Sequence, residues 1–167
     1  HELFYVLHPL HVLLSALTTA SLFRFYTCGK GEKKRCNIPL LFVVGFVGSI
    51  GIATLSDSIM PYLGEVLLDM PFRSHHIGFI EKWWLISSVA AVGIVIAYFN
   101  PTTKFPHTGH VLISTWASLF HMLMARGEVV QWQTYFGIFF FLLLAVWVPC
   151  CVSDILFPML FVKDETK

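Results

Sequence analysis

Charged residues are scarce in this chain. Asp, Glu, Lys and Arg make up 13% of the 167 residues, and 56% of the residues are hydrophobic, whereas a typical soluble domain is about 25% charged. This shortage excludes an ordinary water-soluble domain, because a core of this size does not bury so many apolar side chains. It predicts an integral membrane protein whose apolar residues face lipid.

The sequence also lacks the short motifs of several large protein classes. It has no phosphate-binding glycine loop, no dinucleotide fingerprint, no nucleophile elbow and no basic surface interleaved with aromatic residues. Nucleotide chemistry, serine hydrolase chemistry and nucleic-acid binding therefore have no support. Cysteines are few. Cys28 and Cys36 fall in a basic segment where we expect reduced thiols, and we interpret Cys150 and Cys151 as apolar fillers.

Long apolar stretches are present instead. Five of them approach the ~20 residues that cross a bilayer, at residues 4–25, 38–60, 83–99, 111–125 and 135–162. Segment 24–37 is rich in Lys and Arg, whereas 61–82 and 126–133 are mixed in sign. Because cytoplasmic loops carry the excess of Lys and Arg, this predicts an amino terminus outside and a carboxyl terminus in the cytoplasm.

A polar pattern occurs twice, about a hundred residues apart. His8, His11 and Ser15 recur as His107, His110 and Ser114, and Ser56-Asp57 recurs as Ser153-Asp154. A proline follows each Asp at the same distance, Pro61 and Pro158, and predicts that each helix bends or ends there.

The repeat predicts the architecture. Each unit contains two spans and a single span separates the units, so the two units cross the membrane in opposite directions. We therefore expect an all-α protein with one transmembrane domain over residues 1–167. Five transmembrane helices form it, as inverted two-helix repeats at about 4–63 and 107–160 that flank a central helix at 82–99.

One group of ionisable residues is expected near the outer face, from the rise of each helix. The candidate ligands of a divalent, zinc-like metal ion are His8, His11, Asp57 and His121, with His75, His76 and Glu65 as further candidates. Imidazole and carboxylate donors together suit such an ion. For any single histidine the alternative is a hydrogen bond between packed helices, and His-x-x-His alone is a weak signal.

A second polar cluster is expected at the inner face. Its members are Arg24, His107, His110 and Asp154. The permanent charge of Arg24 disfavours a metal and favours a salt bridge to Asp154, and the alternative is a gate or proton relay through the two histidines. The supporting hydroxyl groups of the two clusters are Ser15, Ser56, Ser114 and Ser153.

These features predict a membrane transporter that is coupled to a divalent metal ion or to protons. The alternatives are a metal-dependent membrane enzyme and a haem-binding or accessory subunit of a membrane complex. The expected partners are the lipid bilayer and a small ion or small-molecule substrate, with no nucleic acid, and a homo-oligomer or a larger complex is left open. The inventory of three histidines, a serine and an aspartate is loosely similar to seven-span membrane hydrolases related to ceramidases and to progestin or adiponectin receptors. The span count and spacings differ from theirs, so no residue roles are carried over.

Overall fold

A computed structural model describes residues 2–28, 37–73, 77–126, 131–151 and 156–161. These residues form helices and connecting turns, and no β-strand occurs among them. The helices are α1 (Glu2–Thr27), α2 (Ile38–Thr54), α3 (Met60–Leu67), α4 (Gly78–Glu81), α5 (Trp83–Phe99), α6 (Lys104–Ala125), α7 (Trp132–Cys151) and α8 (Phe157–Met159), and a π-helical turn (Leu55–Ile59) joins α2 to α3. The predicted sites His75, His76, Ser153 and Asp154 lie outside the described residues.

Three of these helices are long and apolar enough to cross a membrane: Glu2–Thr27, the continuous stretch Ile38–Leu67, and Trp132–Pro149. Helix α5 is apolar but shorter. On α7 the outward side chains are large and apolar, with Phe139 67% and Trp147 65% exposed, which is consistent with a surface in contact with lipid. The five spans stay a prediction, because α5 is short and polar residues interrupt the apolar sequence of α6. The inverted repeat stays a prediction as well.

Helix α1 lies at the centre and packs against α2, α5 and α6. Small side chains allow this close packing, as is common between helices in membranes. Ala16 and Ala20 of α1 are fully buried. A Cβ atom placed on Gly93 of α5 would lie 2.6 Å from the Leu13 carbonyl oxygen and 3.0 Å from the Ala16 Cβ. The backbones of α1 and α5 therefore meet where only glycine fits.

Replacing Gly93 with Ala should destabilise the protein by about 1–3 kcal/mol, because the new methyl group would overlap a backbone carbonyl that cannot rotate away. The matched control is Gly51→Ala on α2, where an added Cβ meets nothing within 4 Å. This control should be neutral or stabilising by up to ~1 kcal/mol through helix propensity. Denaturant unfolding in detergent measures both variants, and equal stability of the two would contradict the close contact.

Pro61 explains why the helix widens at the residues that carry the polar site. A proline inside a helix donates no N–H to the carbonyl four residues earlier and collides with it, and that carbonyl belongs to Asp57. The chain accommodates Pro61 through the π-helical turn, in which the Met60 N–H bonds to the Leu55 carbonyl. The helix then continues as α3 instead of ending. Three consecutive residues of the turn, Ser56 to Ser58, are all buried.

Helices α1 and α6 run in opposite directions. Phe4 near the start of α1 contacts His121 near the end of α6, and Ser21 near the end of α1 accepts a 3.1 Å hydrogen bond from the backbone N–H of Thr102, just before α6. An inverted repeat requires these opposite directions. The repeat itself stays a prediction, because its second Ser-Asp pair lies outside the described residues.

Cys28 is disulfide-bonded. The Lys and Arg residues of this basic segment predict a cytosolic location, where thiols stay reduced. Structural disulfides persist in oxidising compartments, so the disulfide favours the opposite side of the membrane. The two observations support opposite orientations of the chain, and the orientation of the termini stays a prediction.

Cysteine labelling tests both the crossing and its direction. Single substitutions Lys33→Cys and Arg73→Cys flank the stretch Ile38–Leu67 and should react from opposite sides of sealed vesicles, because that stretch is long enough to span the bilayer. Peptide mapping separates these labels from those on native cysteines. Cytosolic labelling of Lys33→Cys supports the charge argument, and labelling from the outer side supports the disulfide argument. Labelling of both positions from one side would rule out the crossing.

Candidate functional site

Asp57 is the centre of the buried polar site. The Nδ1 atoms of His8 and His11 on α1 lie 3.0 Å and 2.8 Å from Oδ2 of Asp57. The hydroxyl groups of Ser56 and Ser114 each donate to Oδ1 at 3.0 Å. All five side chains are at most 1% exposed. The structure thus brings His8, His11 and Asp57 together, as the sequence predicts.

Four protein donors occupy the carboxylate of Asp57. A carboxylate has about four acceptor positions on its two oxygens, and two imidazoles and two hydroxyl groups fill them here. An ionised carboxylate only accepts, so each Nδ1 donates its proton to Asp57. Asp57 therefore orients the two imidazoles and is poorly placed to act as a metal ligand itself.

The negative charge of Asp57 needs compensation, because an uncompensated buried charge costs several kcal/mol or more. Among the described residues, only histidines form ion pairs with Asp57, and no Lys or Arg reaches it. The imidazoles of His8 and His11 are therefore the groups placed to compensate this charge. The three side chains form one buried cluster, which we call the Asp57 group.

The two ring nitrogens of His8, and likewise those of His11, have different surroundings. Their Nε2 atoms are buried and make no hydrogen bond to the described residues. Each imidazole is thus anchored through one nitrogen and has the other available for a proton or a ligand. The spacing i, i+3 places both rings on one face of α1.

His121 forms a separate pair. Its Nδ1 lies 2.8 Å from Oε1 of Glu65 on α3, and both residues are 1% exposed. The ring of Phe4 contacts both this pair and the Asp57 group, stacked on His8 at 5.5 Å and edge-on to His121 at 5.3 Å between ring centroids. The structure thus places His121 with Glu65 and does not bring it to the carboxylate of Asp57.

His110 lies next to His11, with ring centroids 5.3 Å apart. His107 in turn contacts His110 at 5.4 Å. His110 is buried, whereas His107 is exposed. These two histidines, which the sequence predicts in a separate inner cluster, therefore connect the Asp57 group to the surface.

Arg24 does not join them. Its guanidinium donates to the carbonyl oxygens of Ala97, at 3.2 Å, and of Tyr98, and lies 5.4 Å from the centroid of the Tyr98 ring. A cation at this position satisfies the last carbonyls of α5 and complements the helix dipole. The predicted salt bridge to Asp154 lies outside the described residues.

Of the supporting hydroxyl groups, Ser56 and Ser114 bind Asp57, and Ser15 is buried on α1. Sequence reasoning missed Ser118, whose hydroxyl donates to the Ser56 carbonyl at 3.1 Å. Its position four residues after Ser114 and three before His121 is a sequence signal, because those spacings share one helix face. Phe4 gives no comparable signal, since nothing in its local sequence sets it apart.

A metal centre has no preformed cluster in the described part of the chain. No group of three or more His, Cys, Asp or Glu side chains there is arranged to hold a metal ion. The Nδ1 atoms of His8 and His11 face Asp57, and the Nδ1 atom of His121 faces Glu65. The zinc-like metal expected from the sequence stays a prediction.

Comparisons with protein-family profiles, with characterised proteins and with solved structures give no significant match for this chain.

Replacing Asp57 with Asn should destabilise the protein by about 3–5 kcal/mol. The new amide NH₂ would face the imidazole N–H or hydroxyl donors that now bind the carboxylate, and these buried donors would lose their acceptor. The matched control is Asp69→Asn, at an exposed residue paired with Arg73 at 3.1 Å. Asp69 has a positive φ of 50°, which Asn tolerates, so this variant should unfold like the wild type. Unfolding in detergent measures both, and an Asp57→Asn protein as stable as the control would contradict the network.

Proposed function

We propose that this chain is a proton-coupled membrane transporter in which the Asp57 group binds and releases the proton. The observation that carries this proposal is a buried carboxylate whose charge partners, within the part of the chain that the structure describes, are two imidazoles. Such a group is neutral when it holds one extra proton and negative when it does not. Losing or gaining that proton changes the charge of the protein interior, which is what couples proton movement to a change of conformation.

The contacts among the histidines support a route for the proton. Exposed His107 contacts buried His110, and His110 contacts His11 of the Asp57 group. Each imidazole has two nitrogens that can bind a proton. These ring contacts are not hydrogen bonds, so transfer along them requires a bridging water or rotation of a ring. His107 and His121 are fourteen residues apart on α6, a rise of ~21 Å. The polar face of this helix thus extends over most of a bilayer core.

Phe4 supports transport over simple conduction. It is fully buried and contacts both His8 and His121. An apolar ring that contacts both proton-binding groups slows a continuous leak, so proton exchange past it is slow and requires a change of conformation. Coupling requires such an interruption, because a transporter exchanges the proton between two sides without opening a pore.

The alternatives have less support from the site. A metal-dependent enzyme would use Asp57 as a ligand or general base, but four donors already occupy that carboxylate. A haem between His11 and His110 would need space for the macrocycle, whereas these rings are in direct contact at 5.3 Å. Proton exchange, in contrast, requires only the carboxylate and the imidazoles of the Asp57 group.

A divalent metal ion is the second candidate, as substrate or as cofactor. One observation favours it: His8 and His11 both bind a carboxylate through Nδ1, the arrangement that commonly orients metal-binding histidines. Their Nε2 atoms would be the ligands. A complete site would need further ligands from water, from the substrate or from residues outside the described ranges. The substrate that moves with the proton is a small ion or small molecule.

The test is proton movement into lipid vesicles that contain a trapped pH-sensitive dye, with potassium and valinomycin fixing the membrane potential. An imposed acid step outside should acidify wild-type vesicles faster than vesicles containing Asp57→Asn protein whose helix content by circular dichroism matches the wild type, because the variant lacks the buried anion. Asp69→Asn is the matched control and should behave like the wild type. Equal rates for wild type and Asp57→Asn would contradict the proposal. Uptake of Zn²⁺ that depends on His8 and His11, without proton movement, would favour the second candidate.

A further inference from the structure

The edge of the His8 ring that carries Nε2, opposite the nitrogen that binds Asp57, faces helix α4. A Cβ atom on Gly78 would lie 2.4 Å from Cδ2 and 2.9 Å from Nε2 of His8, and both residues are buried. No side chain larger than hydrogen fits there unless the ring or α4 moves. Gly78 therefore closes the edge of His8 that does not bind Asp57.

Polar contacts at the surface hold α4 in place. The Tyr5 hydroxyl donates to the Glu81 carboxylate in an exposed hydrogen bond, and the Lys82 ammonium lies 4.7 Å from the centroid of the Tyr5 ring. Ile80 between them is 68% exposed. Water can replace such exposed contacts at little cost, so the outer side of α4 is weakly held.

The other side of α4 has an apolar anchor. Phe79 is partly buried and packs against the main hydrophobic core. Helix α4 is four residues long, and Lys82 separates it from α5 with a non-helical backbone, at φ −132° and ψ 47°. These features allow α4 to swing about Phe79 while α5 keeps its position.

We infer that α4 is a hinged cover over the Asp57 group. The latch formed by Tyr5, Glu81 and Lys82 holds it closed, and its opening exposes Nε2 of His8 to the surrounding water. This inference rests on the proposed function for its purpose, since the cover would control when the Asp57 group exchanges its proton. Glycine at position 78 is what lets the cover close fully.

Chemical modification of histidine measures this access directly. Diethyl pyrocarbonate reacts with exposed imidazole nitrogen, and peptide mapping by mass spectrometry gives the rate at each histidine in the full chain in lipid. Tyr5→Phe removes the hydroxyl of the latch and keeps the ring under Lys82, and Glu81→Ala removes the acceptor. Each variant should raise the rate at His8 several-fold, because each removes one side of the Tyr5–Glu81 hydrogen bond.

Three controls keep the experiment decisive. Exposed His107 should react equally in all proteins and reports the reagent concentration. Tyr98→Phe, a tyrosine beside Arg24 on the far end of α5, should leave the rate at His8 unchanged. Buried His121 should stay protected in every variant. Unchanged reactivity of His8 in both latch variants would overturn the cover, and so would an equal rise at His8 and His121, which indicates general loosening.

The outcome is independent of proton transport. If the latch variants expose His8 but Asp57→Asn vesicles acidify like the wild type, the cover stands and the proposed function fails. If Asp57 is needed for proton movement but the latch variants leave His8 protected, the proposed function stands and the cover fails.

Discussion

A carboxylate buried among apolar helices determines much of this structure. Asp57 is fully buried, and the cost of burying its charge is offset only by donors that surround it closely. Two imidazoles from α1 and two hydroxyl groups, from the π-helical turn and α6, supply them. The carboxylate thus ties three segments of the chain together, and the position of each segment is constrained by the need to reach it.

Pro61 places that carboxylate. Without the proline, a regular helix would bond the carbonyl of Asp57 to the residue four positions later. The π-helical turn that accommodates Pro61 directs Ser56, Asp57 and Ser58 toward the interior. Such turns occur often at functional sites, because they alter side-chain direction at a small cost in hydrogen bonds. Here a backbone requirement and the chemistry of the site are linked by one residue.

The sequence predicts the helices and part of the site. The helix expected at 83–99 is present as α5, although it is shorter than the helices that are long enough to span a membrane. Of the four residues expected in one metal site, the structure brings His8, His11 and Asp57 together and places His121 with Glu65. Both follow from local information, since periodicity and helix rise set which residues share a face and a depth. Three helices are confirmed as apolar and long enough to span a membrane. The remaining spans depend on α6, whose polar face weakens the apolar signal.

Contacts between helices could not be predicted in the same way. Helix rise gives depth along an axis, but the rotation and crossing of two helices depend on packing along their whole length. The close contact of α1 with its neighbours brings His110 to His11, although the two histidines were expected near opposite faces. His121 is drawn to Glu65 because α3 continues past Pro61 and packs against α6.

The central claim is that His8 and His11 donate their Nδ1 protons to Asp57 and share a compensating proton. Nitrogen-15 magnetic resonance of histidine-labelled protein in lipid bilayers measures the protonation of each imidazole nitrogen directly. The account predicts a proton on Nδ1 of both residues in the wild type, with one imidazole in its doubly protonated form, and loss of this pattern in Asp57→Asn. Neutral rings with the proton on Nε2 in both residues would contradict it.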